Sequence, residues 1–122
     1  MNIYKAISIK QPWAWAIFHG KPIENRSRPW KHVGPVMIHA SKTFDHIGYH
    51  WLLDHRDLLD EEIPHPDKYL FGGIIGRVDM TDCVCNHSSP FFFGPWGYVF
   101  KNQKSLDFIK CPGSQGVFNV EV

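Results

Sequence analysis

The sequence predicts a small α+β domain, a β-barrel or curled sheet with two helices near its front. Three observations carry this. Short segments rich in β-branched and aromatic residues recur along the chain between Gly- and Pro-containing turns. Only two segments, both in the first half, look helical. The chain's 122 residues suffice for one core and fall short of two, so one domain over 1–122 is expected.

The elements follow in order. Tyr4 to Ile9 is rich in β-formers and reads as a first strand, broken at Gln11-Pro12. Proline suits the first turn of a helix, so Trp13 to Phe18 is a short, mostly buried helix that Gly20 stops as a left-handed cap. Ile23 to Trp30 is irregular and polar, an extended segment interrupted by Pro29. After Gly34-Pro35, Val36 to Ala40 is a second strand. Its Val36, Ile38 and Ala40 share one face, and Met37, His39 and Ser41 share the other. Thr43 or Ser41 caps a helix from Phe44 to about Leu53, with Ile47, Trp51 and Leu52 inward. Ile74 to about Cys83 is a third strand, with a bulge or a close backbone approach expected at the glycines of its start. Trp96 to Phe100, Ser105 to Ile109 and Val117 to Val122 complete the set.

Composition narrows the function classes. Hydrophobic residues at 43% and charged residues at 20% describe a folded globular protein. Aromatics reach 15%, enough to build a core and to stack on flat ligands such as bases. A net charge of +1 excludes the strongly basic balance of proteins that hold duplex DNA by neutralising phosphates, so any nucleic-acid role needs a local patch. The three cysteines follow a start that carries no signal-peptide pattern, and reduced thiols in a cytoplasmic protein are expected. No apolar run reaches the roughly 20 residues that span a bilayer, and no membrane partner is expected.

The chemistry concentrates between Ser8 and Lys42. Lys21, Glu24 and Arg26 stand at i, i+3 and i+5, and Arg28 and Lys31 follow. A lysine desolvated in an apolar pocket serves as general base or nucleophile, whereas a partly exposed one binds phosphate as a point charge. Lys21 and Glu24 are therefore the catalytic candidates, and Lys21, Arg26, Arg28 and Lys42 the phosphate-binding ones. Gln11 and Trp13, at a strand-to-helix junction, and Trp30, beside Arg28, are candidates for holding a planar base. His39, Ser41 and Lys42 at a strand end would close the cleft. The bland alternative is a solvated charge run in which a Glu–Arg pair contributes about 0–1 kcal/mol. His46, His50 and His55, and Cys83, Cys85 and His87, lack the spacings that mark a zinc site, so neither metal nor cofactor is expected.

The blocks Ser8-Ile9-Lys10-Gln11-Pro12-Trp13, Gly20 to Arg26, Ile38-His39-Ala40-Ser41 and Gly76-Arg77-Val78 resemble the ASCH domain family, small members of the PUA-like superfamily. Asp82-Cys83-Val84, Gly97 to Phe100, Cys111-Pro112-Gly113 and Gln115 to Phe118 continue the match in the family's order. The resemblance implies a barrel of about five to six strands with two helices packed beside it and a cleft beside the first helix. It also implies binding of RNA, as a single strand or flipped base, or of a nucleoside or nucleotide. One branch of similar proteins consists of amidohydrolases that cleave N4-acylcytidine with a lysine and a threonine three positions on; the matching residues here are Lys21 and Glu24. Domains like this also occur in transcription coactivators, which makes Phe91-Phe92-Phe93 a candidate contact for a protein partner.

Overall fold

A computed structural model gives the architecture and describes residues 2–122. The six strands are β1 (Ile3–Gln11), β2 (Ile23–Arg26), β3 (Gly34–Phe44), β4 (Gly73–Val84), β5 (Trp96–Lys110) and β6 (Val117–Glu121). Two helices, α1 (Trp13–Ile17) and α2 (His46–Asp54), precede β2 and follow β3. The strands form one mixed sheet in the order β2-β5-β4-β3-β1-β6, in which β1 and β3 are parallel and the other pairs antiparallel. The α+β class stands. The expected closed barrel does not, because β2 and β6 are the sheet's edges and have no pairing with one another.

The pleat of β3 divides the interior as its sequence implies. Val36, Ile38 and Ala40 join Ile7, Ile9, Ala14 and Ile17 in the main core, while Met37 packs on the opposite face with Ala6, Ile74 and Val120. A third cluster of Ala16, Ile23, Leu52 and Phe91 locks the two helices to β2.

Several local expectations change. The cap of α2 is Asp45, whose side chain accepts from Gly48 N–H at 2.9 Å, rather than Thr43 or Ser41. This register turns Ile47 outward, where it is 85% exposed, and leaves Leu52 fully buried. The segments expected as two strands form the single 15-residue β5. Asn102 absorbs the interruption with φ 56°, and the β4–β5 pairing shifts register beside it. Of the Phe91–Phe93 run, Phe91 is core and Phe93 alone is well exposed, so the aromatic contact patch is not formed. Among the described residues no helix is long and apolar enough to cross a membrane.

Candidate functional site

The parallel register of β1 on β3 sets Ser8 beside His39, and these strand ends form one wall of a cleft of about 950 Å³. β6 pairs along the other side of β1 and leads the preceding loop, Cys111 to Gly116, over this wall. Ser8, Lys10, Arg26, His39, Ser41, Lys42 and Lys110 are the side chains that define it. Four of them are cations, and no Asp or Glu is among the described residues lining the cleft. Lys10, Lys42 and Lys110 are exposed and make no ion pair among the described residues. Lys10 shares its charge with Asp45, while Lys42 and Lys110, outside the ion pairs of the described residues, add to a positive potential over this concave surface that the net charge of +1 conceals.

Arg26 joins this cleft to a second, smaller site. Its Nη2 donates to Ser8 O at 2.8 Å and lies 3.1 Å from Glu24 Oε2, while its buried Nε has no partner. Glu24 Oε1 accepts from Lys21 Nζ at 2.8 Å, and Lys21 is 2% exposed. The ammonium also lies 5.3 Å from the Trp13 ring centroid, a cation–π contact. Trp13, Lys21, Glu24, Asn25, Asp45 and Phe93 line a pocket of about 270 Å³. Asn25 fixes its rim: the amide donates to Phe91 O and accepts from Phe93 and Gly94 N–H.

Asp45 holds the other side of this pocket. Burial would raise its carboxyl, but hydrogen bonds from Gly48 N–H and the Trp13 indole, the Lys10 charge and Ile47 N–H together hold it below the usual carboxylate range. A lowered folded value means that this stabilisation is present in full above the ordinary value of 3.8 and disappears as pH falls through the folded one. Asp45→Ala is expected to lose about 1–2 kcal/mol at pH 7, as deleted helix caps do. Its deficit against wild type should shrink below pH 3.8, read by tryptophan fluorescence in urea titrations.

The expected site residues thus divide into groups. Arg26, His39, Ser41 and Lys42 meet at the cleft, and Trp13, Lys21 and Glu24 meet at the small pocket. Gln11 is 2% exposed and committed internally, its amide donating to Leu70 O and accepting from Trp15 N–H. Arg28 is exposed and Trp30 stacks on His32 with centroids 4.5 Å apart; neither lines the cleft. Sequence reasoning missed Ser8, Lys10, Lys110 and the 111–116 loop as site residues. Ser8 and Lys10 share a strand face, a signal that was available.

Remaining reactive groups offer less. Burial pushes the Cys111 thiol up, which keeps it protonated and poorly nucleophilic. His46 and His50 are exposed on α2, and the expected alternation of Cys83, Cys85 and His87 brings no donor cluster together among the described residues. Three potential metal donors do converge at His19, Asp60 and Glu61, with His19 Nδ1 at 3.1 and 3.0 Å from the two carboxylates. Both carboxylates are 65% exposed, and a histidine hydrogen-bonded to surface acids accounts for the geometry. No known family model matches the chain, and no curated protein matches it.

Proposed function

We propose that the protein is an ASCH-type, PUA-like domain, with an open sheet, that binds single-stranded RNA or a nucleotide through the cleft between the β1 and β3 ends and the 111–116 loop. The observation that carries this is the convergence of Lys10, Lys42, Lys110 and Arg26 on one cavity whose lining holds no carboxylate. Such a lining favours a phosphate-bearing ligand. The volume of about 950 Å³ accommodates a nucleotide rather than a bare anion. An unpaired or flipped nucleotide suits a cleft of this kind, because its phosphate and base edges are both free. Trp13 and Trp30 lie outside the lining, so base contacts fall to its polar groups, among them Ser41, Thr43, Ser114 and Gln115. Lys42 and Lys110 supply charge without taking part in the fold's ion pairs. Titrating labelled single-stranded RNA against wild type and Lys42→Ala/Lys110→Ala tests this reading; equal binding by the two proteins, or none by wild type, counts against it.

The pocket beside α1 favours a second reading, an amidohydrolase acting on an N4-acylcytidine. Lys21 and Glu24 face about 270 Å³ of space next to the Trp13 ring and the Asn25 amide, room for a pyrimidine. The carboxylate of Glu24, at the position where the similar branch has threonine, would serve as proton shuttle or orienter. Release of cytidine from N4-acetylcytidine by wild type, lost in Lys21→Met, is the expected result of this reading. No release above buffer removes it.

A further inference from the structure

Ser8 and His39 make a bonded pair that the binding reading leaves unused. Ser8 Oγ lies 2.9 Å from His39 Nδ1, and His39 Nε2 lies 2.8 Å from the Cys111 carbonyl. A carbonyl oxygen only accepts, so Nε2 carries the ring proton and donates it there. Nδ1 is then the free lone pair, and the Ser8 hydroxyl donates to it. This is the arrangement of an activated serine: a hydroxyl on a basic nitrogen, with the ring's tautomer and orientation fixed by an acceptor behind it. His39 is 2% exposed and so is held rigidly, while Ser8 is half-buried and lines the cleft.

The loop of residues 111–116 runs close over the hydroxyl. A Cβ at Gly113 would lie 2.6 Å from Ser8 Oγ and 2.6 Å from His39 Cε1, so only glycine lets the loop pass over the pair. Arg26 holds the Ser8 carbonyl from the other side at 2.8 Å. Lys10, Lys42 and Lys110 border the same cavity.

We propose that Ser8 and His39 are the nucleophile and general base of an esterase centre whose substrate is a carboxylic ester of a phosphate-bearing molecule. Ser8 Oγ attacks the ester carbonyl carbon as its proton passes to His39 Nδ1. The bond from that carbon to the leaving oxygen breaks, and His39 returns the proton to the departing alcohol. Water then attacks the acyl-serine with His39 again accepting its proton, the acid leaves, and Ser8 regains its hydrogen. Ester and water become acid and alcohol, with no redox partner. The phosphate part of the substrate class rests on the cleft reading above; the serine chemistry does not.

The test is covalent labelling with an uncharged fluorophosphonate, which phosphonylates activated serines with loss of fluoride. Intact-mass and peptide mapping of wild type should find a single adduct on Ser8. Ser8→Ala should take none, and His39→Gln should label about 10²-fold or more slowly, the usual contribution of a general base. A matched thermal melt confirms that the variants are folded. Wild type without an adduct on Ser8 overturns the proposal whatever the variants do, and so does a folded His39→Gln that labels at the wild-type rate. Because the reagent carries no charge, labelling reads the Ser8–His39 pair and RNA titration reads the lysines, so failure of either is assigned separately.

Discussion

Glu24→Ala is expected to lose about 3–5 kcal/mol of folding stability, the usual consequence of stripping one partner from a buried ion pair. The side chains of Lys21 and Glu24 are 2% and 11% exposed and their charges meet at 2.8 Å. Without Glu24, the Lys21 ammonium would keep only the Trp13 ring, 5.3 Å from its centroid, and no counter-charge. Arg26 would lose its only carboxylate among the described residues, at 3.1 Å, and would hold Ser8 O alone. Desolvation decides the magnitude, because a surface pair of the same geometry would contribute about 0–1 kcal/mol. The double substitution Lys21→Met/Glu24→Leu removes both charges together and is expected to be far milder than Glu24→Ala, since buried pairs replaced by apolar residues are often neutral. Urea midpoints with unchanged m-values are the measurement. A loss below about 1 kcal/mol in Glu24→Ala would mean that water reaches the pair.

Lys42→Ala/Lys110→Ala is expected to change binding in a different way, through its salt dependence. Each lysine that neutralises a phosphate of a single strand contributes about 0.7 to the slope of log K against log salt, so the double variant should flatten that slope by about 1.4. Both side chains are exposed and outside the fold's ion pairs, so stability should stay near wild type. Loss of affinity with an unchanged slope would place the RNA somewhere other than on these lysines.

What was legible in the sequence followed the reach of the interactions. The alternation in Val36 to Ala40 correctly divides β3 between two cores, because pleat geometry is local. The Gln11-Pro12 break starts α1 for the same reason, whereas its C-cap is Phe18 and the expected cap Gly20 lies two residues beyond, with φ 122°. Longer-range pairing was not legible. Lys101 to Lys104 read as a break, yet pairing with the 12-residue β4 carries β5 through it. Closure of the sheet depends on contact between its two edges, which no local pattern encodes. The cleft shows the same limit: Arg26, His39, Ser41 and Lys42 came from one dense polar stretch, but Lys110 reaches it because β5 pairs with β4 opposite Gly73, and the 111–116 loop because β6 pairs beside β1. The charge run itself was misleading in kind, since Lys21 faces inward and Arg28 outward.

The most direct test of the cleft as the ligand site is an amide chemical-shift titration of the ¹⁵N-labelled protein with a mononucleotide. Shifts confined to residues 8–10, 41–43 and 110–116 are expected, with the amides of Trp13, Lys21, Asn25 and Phe93 unmoved. Shifts centred on those four residues, with the 110–116 loop unperturbed, would contradict it and move the ligand to the lysine pocket.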